Sequence, residues 1–169
     1  MSYTSTILNI GCGNSKLAEE MYEDGYTTIT SVDISDIVIN QMQEYYREKV
    51  PALKFLHSDI RNMKDHFADE SFDVVLDKGT LDSILCGDSS KPNSEKALRE
   101  IQRVLKAGGV YICVTYGLPD QRVEVFKRFG WTPIVHKVTK TTISTVEVVA
   151  SEDKNDRNFH YIYVMKKQE

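Results

Sequence analysis

Short β-prone runs alternate with segments whose apolar residues recur every three or four positions along the whole chain. That alternation predicts a parallel sheet wound with helices on both faces, an α/β architecture. Thr6-Ile-Leu-Asn-Ile10 reads as a first strand that stops at Gly11-Cys-Gly13. Ser15 to Asp24 follows as a helix, with Leu17, Ala18 and Met21 on one stripe and Gly25 as its C′ residue. Thr28 to Val32 is a second strand, ending at Asp33. Ser35 can cap the next helix, where Ile39, Met42 and Tyr46 repeat with helical spacing until Pro51.

Leu53 to His57 and Phe72 to Leu76 read as the third and fourth strands, ending at Ser58-Asp59 and at Asp77. Asn93 or Ser94 opens a helix through Leu98, Ile101 and Leu105, closed by Ala107-Gly-Gly109. Val110 to Val114 is the fifth strand and Arg122 to Phe129 a further helix. Two more strands, Trp131 to Val138 and Phe159 to Met165, flank a polar stretch. With 169 residues and no linker, repeat or low-complexity tract, the expectation is one domain over residues 1–169.

Composition narrows the class. With 21 Lys and Arg against 25 Asp and Glu, the net charge of −4 advertises neither nucleic acid nor an anionic membrane, while a basic substrate is tolerated. Cys12, Cys86 and Cys113 are odd in number, and two lie in strand-like contexts, which suggests reduced thiols. There is no CxxC or HxxxH pair, and the four histidines are scattered, so no metal is expected. No apolar run approaches the roughly 20 residues that span a bilayer, and Met1 to Thr6 lacks the features of a signal peptide. The chain is expected to be cytoplasmic.

The chemistry sits at the strand ends. In open α/β sheets ligands bind beyond the carboxyl ends of the strands, so Gly11, Gly13, Asp33, Asp59 and Asp77 are expected to converge on one edge. Gly11-Cys-Gly13 allows a tight turn and close backbone approach. Asp33 lies twenty residues after Gly13, a spacing suited to ribose hydroxyls. NAD and S-adenosylmethionine proteins share both features. A dinucleotide fingerprint, however, needs a third glycine where this chain has Lys16. Taken singly, a GxG turn can be merely structural, and an acidic strand end can be a helix cap. The ordered set is what carries the nucleoside-cofactor reading.

Ile7-Leu-Asn-Ile-Gly-Cys-Gly-Asn-Ser15 resembles the first motif of class I S-adenosylmethionine-dependent methyltransferases. Val32-Asp-Ile-Ser35, Ser58-Asp-Ile60, Phe72-Asp-Val-Val-Leu-Asp77 and Val104-Leu-Lys-Ala-Gly-Gly-Val-Tyr-Ile112 resemble later motifs of that family, in order. Leu76-Asp-Lys-Gly-Thr-Leu-Asp82, with His160-Tyr-Ile-Tyr-Val-Met-Lys166, is similar to the branch that methylates lysine in translation elongation factor 1-alpha. The Asp/Asn-Pro-Pro-aromatic motif of amino-methylating nucleic-acid enzymes and the Pro-Cys of pyrimidine C5 enzymes are both absent.

The resemblance implies a Rossmann-like, seven-stranded, mostly parallel sheet and S-adenosylmethionine as cofactor. Gly11 and Gly13 would pass under the methionine moiety, with Asn14 and Ser15 nearby. Asp33 would accept from the ribose hydroxyls, and Ile34 would pack on adenine. Asp59 would take the adenine amino group, and the Ile60 amide would meet a ring nitrogen. Asp77 would hold the cofactor ammonium or the incoming nucleophile, while Thr80 and Asp82 would orient substrate or cap the next helix. The implied partner is a protein presenting a lysine, such as elongation factor 1-alpha, and neither nucleic acid nor membrane. The alternatives are a small-molecule or nucleic-acid methyltransferase, or a non-catalytic binding protein. Relatives place a helical lid before the first motif, and this sequence is expected to lack it. Thr139 to Asn158 reads as a hairpin loop, with a replacement lid as the alternative.

Overall fold

A computed structural model describes residues 2–139 and 159–168. Among the described residues, seven strands form a single sheet in the order β3-β2-β1-β4-β5-β7-β6. The strands are β1 (Ile7–Ile10), β2 (Ile29–Asp33), β3 (Lys54–His57), β4 (Phe72–Lys78), β5 (Leu105–Thr115), β6 (Ile134–Thr139) and β7 (Phe159–Lys166). The first five pair in parallel, whereas β7 runs antiparallel to both β5 and β6. The helices are α1 (Leu17–Glu23), α2 (Asp36–Lys49), α3 (Thr80–Cys86), α4 (Ser90–Val104) and α5 (Pro119–Lys127).

Every residue of β1 is buried, as a central parallel strand covered on both faces requires. Its side chains divide between two cores. Ile7 packs with Ala18 of α1 and with Ile39, Met42 and Tyr46 of α2. Leu8 and Ile10 face the other way, toward Leu98 and Ile101 of α4 and toward Phe126 of α5. Ser35 caps α2 as expected, its Oγ accepting from the Val38 amide at 3.3 Å.

Several boundaries differ from the sequence expectation, among them α5, which spans Pro119–Lys127 where Arg122 to Phe129 was expected. Helix α4 begins at Ser90, before Asn93 and Ser94, because Pro92 in its first turn has no amide to lose from the helix ladder. The segment Ala107-Gly-Gly109 does not close a helix. It lies inside β5, where a positive φ at Gly108 accompanies a register shift against Phe72 and Val74 of β4. The expected strand from Trp131 starts only at Ile134, and Trp131 instead packs in the core. The stretch 140–158, read as a loop or lid, lies outside the described residues, and Thr139 ends β6.

Phe126 anchors α5 to the sheet. It is fully buried, with its ring 5.4 Å from Tyr163 and 6.0 Å from Tyr111. Phe126→Ala should cost about 3–5 kcal/mol in urea unfolding; a loss below about 1 kcal/mol would contradict this packing.

Candidate active site

The carboxyl ends of β3, β2, β1 and β4 open onto one cavity of about 450 Å³. Of the five residues expected to converge at the strand ends, Gly11, Asp33 and Asp59 line it, together with Ile34 and Ile60, whereas Gly13 and Asp77 do not. Thr80 lines it as well, and so do residues the sequence did not single out: Ser58, Arg61, Lys78 and Asn93.

At the end of β2, Asp33 braces the glycine turn. One carboxylate oxygen accepts from the Gly13 amide at 2.8 Å and the other from the Ser35 amide at 2.9 Å. Each oxygen retains acceptor capacity toward the cavity. Ile34 follows with 60% exposure, a large apolar side chain presented at the cavity wall. Gly13 has φ +51°, and a Cβ there would meet nothing within 4 Å, so open space lies above the turn. Asn14 is exposed, and the Ser15 hydroxyl accepts from the Leu17 amide at the start of α1; neither lines the cavity.

Asp59 carries a partner that periodicity could not reveal. Arg61 Nε lies 2.9 and 3.0 Å from its two oxygens, and Arg61 Nη2 lies 2.6 Å from one. This bidentate pairing holds the Asp59 carboxyl below its usual pKa. Arg61 also reaches Asn93 of α4 at 3.2 Å, bridging the mouth of the cavity. Between Asp33 and Asp59, the buried Ser58 hydroxyl has no hydrogen-bond partner among the described residues.

The three residues expected to do chemistry are placed differently. Asp77 does not line the cavity. It is 1% exposed, and its carboxylate accepts from Tyr111 Oη at 2.8 Å and from the amides of Thr80 and Leu81 at 2.9 and 3.2 Å. Its structural work is to hold the left-handed Gly79 turn and the first amides of α3. Asp82 is paired too. It accepts from the Thr115 hydroxyl, from Arg122 at 2.7 Å and from the Tyr116 amide at 3.1 Å, joining α3 to the end of β5 and to α5. Thr80 donates to the Ile10 carbonyl at 2.9 Å. A Cβ on Gly11 would overlap the Thr80 side chain, so this glycine is needed for close approach as well as for its φ of +58°.

A second cavity, also of about 450 Å³, adjoins the first. Lys78 and Gly79 line both, and the second continues along Val114, Tyr116, Val138, His160 and Ile162. The Tyr116 and His160 rings lie 4.8 Å apart at its wall. Among the described residues no group of His, Cys, Asp and Glu could hold a metal.

A glycine turn, a braced acid on the next strand and a carboxylate on the one after it define a nucleoside-cofactor α/β protein. A family described as a methyltransferase domain matches residues 2–162, and the chain belongs to that family. It is 40% identical over 146 residues to the eEF1A lysine and N-terminal methyltransferase of Homo sapiens, covering 83% of this chain and 21% of that protein. It is 38% identical to EEF1A lysine methyltransferase 4 of Mus musculus, covering 75% of this chain and 52% of that one. The chain therefore spans about a fifth to a half of these relatives' length. Among solved structures, a SAM-dependent methyltransferase from Methanosarcina mazei superposes with a TM-score of 0.70 at 16% identity, covering 99% of this chain and 94% of that one. The [4+2]-cyclase SpnF superposes at 0.73 with 18% identity, covering 98% and 76%. These likenesses establish the fold.

Burial raises the Asp77 carboxyl from 3.8 to about 6, against the lowering effect of its three donors. Between about pH 4 and pH 6 the folded chain keeps a proton that the unfolded chain has lost. Stability from this group is therefore present below pH 4 and is lost as pH rises to 6. Subtracting the profile of Asp77→Asn from that of the parent in urea titrations should expose this falling contribution. A difference that is flat from pH 4 to 6 would refute the assignment.

Proposed function

We propose that the chain is an S-adenosylmethionine-dependent methyltransferase that modifies a lysine side chain of a protein, with eEF1A as the model substrate. The observation that carries the cofactor reading is the order of groups along the sheet edge: Asp59 after β3, Asp33 after β2 and the glycine turn after β1. A nucleoside laid across those ends meets Asp59 and Ser58 at its base, with the Ile60 amide nearby. It meets Ile34 on the base face, Asp33 at its ribose, and Gly11 and Gly13 beneath the sulfur. The names of the relatives, together with the Leu76 to Asp82 segment, support lysine as acceptor.

When bound, the cofactor supplies a methyl group already activated on its sulfonium, so the protein's task is alignment. The second cavity is the approach for the acceptor. Val114, Val138 and Ile162 suit the aliphatic stem of lysine, and the described lining carries no carboxylate. An amine there is stripped of water and counter-ion, which favours its neutral, nucleophilic form. Asp77, Thr80 and Asp82 are positioning residues in this mechanism, since they fix the turn and the Tyr116 backbone that separate the cavities. The reading places the protein in the cytoplasm, with no nucleic-acid or membrane partner. Among the described residues no helix is long and apolar enough to cross a membrane.

Asp33→Ala removes the acceptor of two ribose hydroxyls and of the Gly13 amide. S-adenosylhomocysteine should bind roughly ten- to a hundredfold more weakly in calorimetry, the loss of a charge-assisted contact of about 1.5–3 kcal/mol. NAD should give no heat; unchanged affinity in the variant, or tight NAD binding, would overturn the cofactor assignment. With labelled S-adenosylmethionine and a lysate, label should survive nuclease and map to lysine in a basic protein. Label in RNA or in a small metabolite would refute the acceptor while leaving the cofactor standing.

A further inference from the structure

One half of the sheet is covered on a single face. Residues opposite each other on neighbouring strands point to the same side, so the pairings of β5, β7 and β6 sort their side chains into two faces. Tyr111, Cys113, Tyr161, Tyr163 and Met165 turn toward α4 and α5 and are buried in the core they share. The opposite face carries the rows Ile112–Val164–Ile134 and Val114–Ile162–His136. None of these six is buried, and Ile134 is 63% exposed. Helices α1 and α2 lie on this side, but the core they make takes in β1 to β4 and stops at Ile112. Val114, Ile162, Val164 and Ile134 belong to neither core cluster. Among the described residues, no helix packs on them.

An apolar sheet face in an α/β fold is buried by a helix, and the dimensions suit one. Two two-residue steps along β7, from Lys166 to Ile162, and two strand spacings across β5, β7 and β6 give a patch of roughly 13 by 10 Å. A helix with its side chains is about 10–12 Å wide. A second folded copy would instead need about 800 Å² from each partner. Charge narrows the occupant further. Strands β5, β6 and β7 contain no Asp or Glu, in a chain that has 25 of them. Lys166, in register with Val110, ends the face and makes no hydrogen bond or ion pair with a described residue. We propose that this face docks an amphipathic helix of a partner protein, its apolar stripe flanked by carboxylates. The stripe covers Val164, Ile134 and their row neighbours, and the carboxylates meet Lys166 and His136. The next row, with His160 and Val138, lies in the wall of the second cavity, so the docked helix stands beside the approach assigned to the acceptor. The proposal requires no cofactor and is independent of the methyltransferase reading.

The probe is a stapled helical peptide of about 15 residues, with leucines at i, i+3, i+4 and i+7 spacing and glutamates along both flanks. Its counterpart carries lysine in place of every glutamate. Both are titrated by fluorescence anisotropy into the parent, Ile134→Glu and Lys166→Glu, with thermal unfolding as a check on folding. The glutamate peptide should bind the parent about tenfold more tightly than the lysine peptide. Ile134→Glu should weaken the glutamate peptide about tenfold, by placing a charge in the apolar patch. Lys166→Glu should weaken the glutamate peptide about threefold and strengthen the lysine peptide, a crossing that damage to the fold does not produce. Equal binding of the two peptides, no binding of either, or binding untouched by both substitutions overturns the assignment. A parent that sediments as a dimer and is dissociated by Ile134→Glu also overturns it, giving the face to a second copy. So does Ile134-dependent binding to phosphatidylserine vesicles without peptide binding, which gives the face to a membrane.

Discussion

An ionised carboxylate without water is costly unless donors surround it, and Asp77 sits at the end of the central strand β4 with three donors around it. Meeting that requirement shapes the whole floor of the site. Two of the donors are the first amides of α3, so the chain must turn sharply through the left-handed Gly79 to deliver them. The turn places the Thr80 hydroxyl on the Ile10 carbonyl, which in turn admits no side chain at position 11. From Gly11 the backbone continues to Gly13, whose amide is held by Asp33, and Asp33 also secures Ser35 at the head of α2. The cavity floor is thus one connected set of hydrogen bonds across β4, β1 and β2, nucleated on a buried carboxyl group.

Much of this was legible in the sequence, for physical reasons. Continuous apolar runs such as Ile7 to Ile10 suit strands covered on both faces, and the acids that end β2 and follow β3 line one cavity. The parts that escaped were those that depend on direction or on partners. Helix α3 shows no periodicity to read, because its seven residues span too few turns. The inward orientation of Asp77 depends on Tyr111, thirty-four residues further on, whose hydroxyl is visible as a partner only once β4 and β5 are paired. Arg61 was within reach of sequence reasoning, since an arginine two residues after an acid in a loop can fold back on it. Lys78 belongs to a legible motif, but nothing in its spacing shows that it stands between two cavities.

The strand-end acids show how one residue type acquires separate roles from its surroundings. Asp33 keeps lone pairs toward the cavity while bracing backbone amides. Asp59 is held ionised by a fork of guanidinium donors. Asp77 is desolvated and drawn toward protonation. Asp82 joins three elements through Arg122, Thr115 and Tyr116. Counting carboxylates along a motif therefore says little about how much negative charge a cavity presents; the donors around each one decide that.

The position of β7 bears on how the chain is made. It is the seventh strand in sequence but the sixth in space, inserted between β5 and β6 and antiparallel to both. On a ribosome, β6 emerges with no strand to pair with, and β5 keeps one edge of its ladder bare until β7 is synthesised. The nascent chain can assemble its parallel half early, yet the Tyr161, Tyr163 and Met165 side chains that complete the core on that side arrive last. A ribosome stalled just short of β7 would hold a sticky intermediate with two unsatisfied strand edges, the state in which this fold has most need of a chaperone.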